Sequence, residues 1–177
     1  LTPREFIDKL AGLPLLVQPG TVWDYSLSTD VLGLVIEKVS GKRLSEHLKE
    51  TVWDKVGMPD TTFEPSPAQR ERLARPLPLD PITGKPQRIL SLDTQPKFDC
   101  GGACAFGTMG DYLRFGQMLL DGGVIDGRRV LGAKTVAWMT SDHLGPNIRN
   151  QVANTEPHRD GYGWGLRSEE HTSELQS

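Results

Sequence analysis

The sequence predicts a mixed α/β (α+β) domain, of which these residues supply mostly helix, one long proline-rich loop and the start of a sheet. Three observations carry that reading. Apolar residues recur at helical spacing in several stretches that have their own start and stop signals. Eight of the thirteen prolines fall between Pro59 and Asp99. An Asp-Gly hairpin signal and a glycine-aromatic run near the end mark β-structure. A length of 177 residues suits one domain with enough chain for a core.

In chain order, Thr2-Pro3-Arg4-Glu5 is a capping box with Pro at the first helical position. A helix with Phe6, Ile7 and Leu10 on one face follows. Leu13 to Gly20 turns through two prolines and leads, extended, to Tyr25. Next, Val31, Leu32, Val35, Ile36 and Val39 form one face of a strongly amphipathic helix. Ser28 or Thr29 caps its start and Ser40-Gly41 stops it. Leu44, Leu48 and Val52 define a second helix, ending before Gly57-Met58-Pro59. From Pro59 to Asp99 the chain reads as a loop with Thr83-Gly84 as a turn. A loop this long is either a lid over a site or a surface connection.

Thr108-Met109-Gly110-Asp111 opens the next helix as a capping box, with Tyr112, Leu113, Phe115, Leu119 and Leu120 as its apolar side. Asp121-Gly122-Gly123 stops it. Val124 to Leu131 is a tight hairpin, because Asp126-Gly127 suits the primed turns. Thr135 to Met139 forms a short helix, and Gly161-Tyr162-Gly163-Trp164-Gly165-Leu166 a strand.

Composition narrows the function classes. The net charge is −3, and no basic cluster exists beyond Lys42-Arg43 and Arg128-Arg129, which read as solvated turns. Nucleic acid and anionic membranes are therefore not expected partners. The apolar run near Val31 is broken by Gly33 and is far too short to span a bilayer, so no membrane span is expected. The four histidines (His47, His143, His158 and His171) show no paired spacing, so no metal site is expected. Cys100 and Cys104 flank Gly101-Gly102-Ala103. They read as free thiols in a packed turn, with a disulfide across three residues as the less common alternative.

The chemistry concentrates in Pro19-Gly20-Thr21-Val22-Trp23-Asp24-Tyr25-Ser26-Leu27. Tyr25 stands just before a helix start, where unpaired N–H groups and the helix dipole favour negative charge. A phenol there is expected to ionise more easily than its reference value of about 10, which suits a tyrosine base. Without other context a tyrosine in this place is core packing. Trp23 reads as a packing residue. Ser26 reads as a structural hydroxyl, since no lysine or histidine base is placed beside it in sequence.

The motif Pro-Gly-x-x-Trp-x-Tyr-Ser, with its Val-Leu-Gly helix ending in Val-Ser-Gly, resembles the middle of a β-lactamase-related serine hydrolase. That superfamily includes class C β-lactamases, D-Ala-D-Ala carboxypeptidases and lactamase-fold esterases. Val52-Trp53-Asp54-Lys55-Val56-Gly57-Met58-Pro59-Asp60-Thr61-Thr62-Phe63 resembles the family's Gly-Met-x-Asp-Thr passage. Gly101-Gly102-Ala103 through Phe106-Gly107-Thr108, then Asp111-Tyr112-Leu113-Arg114-Phe115, resembles its glycine-rich turn and following helix. The likeness runs in order over residues 1–166 and implies a β-lactamase/transpeptidase-like fold. It assigns Tyr25 as general base and then general acid in acyl transfer through a serine ester, a mechanism that implies no metal or organic cofactor. It places Ser26, Leu27, Gly101 and Gly102 near the substrate pocket. Taken alone, the glycines equally serve a positive φ. Leu27 stands where the class C pattern has Asn, which favours esters over β-lactams as the small-molecule substrate.

Two of the family's three elements are absent from this sequence. No serine has Lys three places on, the nearest miss being Ser40 with Arg43. No Gly-x-Ser-x-Gly elbow exists either. Lys134-Thr135 is followed by Val136 and falls in a helix, so it is not the late Lys-Thr-Gly strand. The chain is therefore expected to be an internal fragment, inactive alone. Residues 167–177 match the conceptual translation of a sequencing adapter and are expected not to be native; without their one Arg and three Glu the net charge is −1. Compartment and oligomeric state are open. Beside the esterase reading stand a class C-type β-lactamase, a D-Ala-D-Ala carboxypeptidase, and a non-catalytic pseudo-enzyme that serves as a binding module.

Overall fold

A computed structural model of the chain describes residues 1–75, 77–87, 97–154, 162–165 and 169–171. Helix α1 spans Pro3–Ala11. The Thr2 hydroxyl accepts the Glu5 N–H while the Glu5 carboxylate accepts the Thr2 N–H, which completes the expected capping box. Glu5 is held below the usual carboxylate range by that backbone N–H. The two-residue strand β1, Val22–Trp23, follows the extended entry segment.

Helix α2, Ser28–Ser40, starts where the spacing predicts and ends at Gly41, whose φ of 72° provides the left-handed stop. Its capping differs from expectation. Leu27 occupies the N-cap, and neither Ser28 nor Thr29 caps it with a side chain. Its packing differs as well. Ile36 packs on the core, but Leu32, Val35 and Val39 are exposed, and Gly33 is the buried position. The reason is close approach. A Cβ on Gly33 would come 3.0 Å from Leu44 Cδ2 and 3.1 Å from Gly101 Cα, so a side chain would push the two segments apart.

The second predicted helix is a helical run in three parts. Helix α3, Leu44–Leu48, passes into a π-helical turn, Lys49–Trp53, and then α4, Asp54–Val56, which ends at left-handed Gly57. The π turn rotates the last residues so that Trp53 and Val56 are both buried. The proline-rich stretch carries one element the sequence reading left out. Helix α5, Pro67–Glu71, has its own capping box from Ser66 and Gln69. The Thr83-Gly84 turn is present, with Gly84 N–H bonded to the Asp80 carbonyl at 2.8 Å. Residues 76 and 88–96 of this stretch lie outside the described residues.

Helix α6, Met109–Leu120, begins at Thr108, whose hydroxyl accepts the Asp111 N–H. Asp111 does not complete the expected capping box. It is buried, and its carboxylate accepts the Asp60 N–H at 2.9 Å and the Thr61 hydroxyl at 2.8 Å instead. The helix is therefore rotated from the predicted side. Met118 is fully buried and Phe115 and Leu119 pack on the core, whereas Tyr112, Leu113 and Leu120 are exposed. The hairpin of β2, Val124–Ile125, and β3, Arg128–Arg129, turns through Asp126 and Gly127, both at positive φ as a type I′ turn requires. Arg114 links the hairpin to α4: its Nε donates to the Val56 carbonyl at 2.8 Å and it pairs with Asp126.

Helix α7, Ala133–Thr140, contains Lys134-Thr135 as expected and buries Val136. Strand β4, Arg149–Asn150, pairs parallel to β1, and β5, Tyr162–Trp164, pairs antiparallel to β6, Glu169–His171. Gly161 and Leu166, the ends of the predicted strand, lie outside the described residues. Strand β6 falls within the 167–177 stretch. The core joins Leu44, Trp53, Val56, Met58, Phe63, Met118 and Ile125. Among the described residues no helix is long and apolar enough to cross a membrane.

Candidate active site

Tyr25 lies between β1 and α2, on a wall of a cleft of about 350 Å³ lined also by Val22, Trp23, Asp24, Ser26, Ser28, Thr29 and Trp164. The β1–β4 ladder sets one side: Arg149 N–H bonds to the Thr21 carbonyl at 3.1 Å and Gln151 N–H to the Trp23 carbonyl at 2.9 Å. Trp23 and Trp164 meet with ring centroids 4.3 Å apart, a contact that joins the two ends of the chain at the cleft. Asp142 holds Trp164 in place. Its Oδ1 accepts the Trp164 N–H at 2.9 Å, and the His143 N–H bonds to the Trp164 carbonyl at 2.8 Å. A Cβ on the neighbouring Gly163 would come 2.5 Å from Asp142 Oδ2, so a side chain there would displace the carboxylate that holds Trp164.

The predicted site residues separate into two groups. Tyr25 and Ser26 line the cleft. The Tyr25 N–H is tied to Asp24 Oδ1 at 2.9 Å, the residue is 54% exposed, and its hydroxyl has no hydrogen-bond partner among the described residues. Ser26 Oγ is 2.9 Å from Ser28 Oγ, and no lysine or histidine approaches it within hydrogen-bonding distance among the described residues. Leu27 is half exposed beside them, with its carbonyl accepting the Asp30 and Val31 N–H groups of the first helical turn.

Gly101 and Gly102 form the second group, packed on the first turn of α2. A Cβ on Gly101 would overlap the Thr29 carbonyl, and one on Gly102 would come 2.7 Å from Thr29 Oγ1. Neither has a positive φ. They are glycine because the backbone of the turn touches the backbone of the helix. Their link to the cleft runs through Thr29, which touches both.

Cys100 and Cys104 are joined in a disulfide, with Cα atoms 5.7 Å apart, which corrects the free-thiol expectation. The intervening glycines bend tightly enough to bring the two sulfurs together. Among the described residues no group of three or more His, Cys, Asp or Glu side chains is placed to hold a metal ion. The residues the sequence reading missed are Asp142 and the role of Trp164. Their spacing carries no local signal, because a carboxylate that braces a strand 22 residues away leaves no periodic trace.

The Beta-lactamase family model matches residues 2–174. The chain belongs to that family. Among curated proteins it is 34% identical over 171 residues to an uncharacterised protein of Mycobacterium tuberculosis, covering 93% of this chain and 41% of that one. It is 31% identical to a lovastatin esterase of Penicillium rubens, covering 81% and 36% of the two chains. It is also 31% identical to the esterase EstB of Burkholderia gladioli, covering 62% and 32%. The chain therefore spans about two fifths or less of these relatives. Of solved structures, a LovD6 mutant of the simvastatin synthase of Aspergillus terreus superposes with a TM-score of 0.72 at 25% identity. The match covers 94% of this chain and 46% of that one. EstCE1, a hydrolase with promiscuous acyltransferase activity, gives 0.64 at 28%, covering 93% and 45%. These neighbours establish a β-lactamase/transpeptidase-like fold and a β-lactamase-related serine hydrolase family.

Proposed function

We propose that this chain is the tyrosine-bearing part of a serine hydrolase that cleaves carboxylic esters through an acyl-enzyme. One observation carries the reading: Tyr25, 54% exposed and with no hydroxyl partner among the described residues, lines an open cleft, with a half-exposed Leu27, not an amide, two residues on. The naming of two relatives as esterases supports the choice of ester. The nucleophilic serine and its lysine are assigned to further sequence of a longer protein, since these 177 residues hold no Ser-x-x-Lys.

In that protein the serine hydroxyl adds to the ester carbonyl and its proton passes through the lysine and the Tyr25 hydroxyl. Tyr25 then returns a proton to the departing alcohol. Water repeats the sequence to release the acid. Backbone N–H groups of the nucleophile and of a further strand hold the oxyanion. The apolar edge of the cleft at Trp23 and Trp164 suits the acyl chain of an ester.

The test is to recover the coding sequence on both sides of this segment and assay its product. A Ser-x-x-Lys upstream, together with saturable cleavage of nitrophenyl butyrate, supports the reading. An intact gene lacking that motif makes the protein a binding module, and faster cleavage of a chromogenic cephalosporin makes it a β-lactamase.

A further inference from the structure

The Cys100–Cys104 disulfide lies outside the Tyr25 cleft, beneath the helix that forms one of its walls. The chain on either side of it is anchored by other means. Before it, Asp99 is 2% exposed and its carboxylate accepts the Arg43 guanidinium at 2.8 Å and the Ser45 N–H at 2.9 Å. After it, Phe106 pairs with Thr62 through both backbone N–H groups, at 2.7 and 2.9 Å. Between these anchors lie two consecutive glycines, the residues with the widest backbone freedom. The disulfide closes a ring around them. It also keeps Cys104 at a φ of 73°, a left-handed conformation that a non-glycine residue rarely adopts unaided.

The closed ring presses on one place. The Gly101 backbone sits against the Thr29 carbonyl and the Gly33 N–H, and the Gly102 N–H donates to Asp30 Oδ1 at 3.2 Å. Thr29, Asp30 and Gly33 belong to the first two turns of α2. Thr29 lines the cleft and Tyr25 enters it three residues before the helix begins. The turn is thus a backing for the N-terminal end of α2.

We propose that the Cys100–Cys104 disulfide is a redox-sensitive positioning device: oxidised, it holds the Gly101-Gly102 turn against α2 and fixes Tyr25 at the cleft; reduced, it releases the turn and slows ester cleavage. The second half rests on the assignment of Tyr25 as the catalytic base. Reduction by a phosphine breaks the Sγ–Sγ bond. The phosphorus supplies two electrons, water supplies two protons to the thiolates and its oxygen to the phosphine, and the products are two thiols and a phosphine oxide. Reoxidation by an excess of a small disulfide reverses it by two thiol exchanges.

The test uses the full-length protein that carries this segment, purified in air, compared with the same protein after phosphine treatment and with the double variant Cys100→Ala/Cys104→Ala. Thiol titration should find the pair absent before treatment and present after it. The amides of Asp30 and Val31, which bond to the Leu27 carbonyl, should exchange about tenfold faster once the turn is released, while those of α6 stay unchanged. The kcat for nitrophenyl butyrate should fall about tenfold at nearly constant KM, return on reoxidation, and be low and reductant-insensitive in the variant. Free Cys100 and Cys104 thiols in the untreated protein, or equal exchange and kcat in both redox states, would overturn the proposal. A Tyr25→Phe control separates the two readings. If that variant turns over normally, the assignment of Tyr25 fails, and the exchange result still decides whether the disulfide backs α2.

Discussion

The Trp23 and Trp164 rings meet at a tilt of 42° with centroids 4.3 Å apart, so the segment that carries Tyr25 and the late strand that faces it both line the cleft. Among the described residues neither tryptophan belongs to the hydrophobic core cluster or to the side chains packed against it. They pack on each other, and the Asp142 carboxylate holds the Trp164 backbone N–H at 2.9 Å. Cleft shape is therefore a property of this pairing.

Trp164→Ala should widen the cleft and leave Trp23 exposed. Removing an aromatic of this pair is expected to cost the contact about 0.5–1.5 kcal/mol beyond lost burial. The change reads out as a red-shifted Trp23 emission, against an unchanged Trp53 signal from the core. An unshifted spectrum would place Trp23 outside the pair.

Tyr25→Phe in the full-length enzyme should lower kcat roughly 10²–10⁴-fold while leaving the melting temperature nearly unchanged. The hydroxyl has no hydrogen-bond partner among the described residues, so its removal breaks no bond described there. Ester kinetics and a thermal melt on the same preparation check both halves.

Leu27→Asn should raise the ratio of cephalosporin to nitrophenyl butyrate specificity constants, by roughly 5- to 150-fold if the added amide bonds the substrate amide. Because Leu27 is half exposed, the substitution disturbs no core. A ratio that stays put removes Leu27 as the determinant of substrate class.

Gly101→Ala should destabilise the chain by about 1–3 kcal/mol or more, since its methyl overlaps the Thr29 carbonyl, which is backbone and cannot rotate aside. Gly41→Ala, at a positive φ but with open space around it, should cost less, on the order of 1 kcal/mol. Urea melts of the two variants rank them.

Asp60 supplies a pH dependence. Its hydrogen bond from Arg72, then that from Gln69, hold the carboxyl below its ordinary range. A group whose pKa is lower in the folded state stabilises the fold above the unfolded value of about 4, and that contribution disappears as pH falls through the folded value. Arg72→Ala should therefore lower the melting temperature at neutral pH, converge on the parent protein at low pH, and so flatten the fall in melting temperature below about pH 4. An unchanged acid limb would mean the pair contributes nothing.

Much of this was legible in the residues. The helix starts at Thr2 and Thr108, the stop at Gly41 and the Asp126-Gly127 hairpin are set by local hydrogen bonding and φ preferences, which act over a few residues. The ordered motifs around Tyr25 and Gly57 were likewise enough to name the family. Residues 76 and 88–96 of the predicted loop lie outside the described structure, so its role as a lid or a surface connection stays with the sequence.

Other features were decided by the tertiary structure. Periodicity found the helix at Met109–Leu120 and two of its core residues, Phe115 and Leu119, but set Tyr112, Leu113 and Leu120 on the buried side and passed over Met118 and Asp111, because it counts Asp111 as polar. In the fold Asp111 is buried, satisfied by Asp60 and Thr61. The same blindness hid the roles of Gly33, Gly101 and Gly102, whose meaning is contact with backbone far off in the chain. It also misread Cys100 and Cys104, because whether two thiols meet depends on how the intervening glycines bend against α2. The sequence by itself determined the family, several of the helix ends and the candidate base. Only three-dimensional proximity decided which faces are buried, which cysteines pair and what stands beside Tyr25, since those depend on contacts between residues that no local pattern relates.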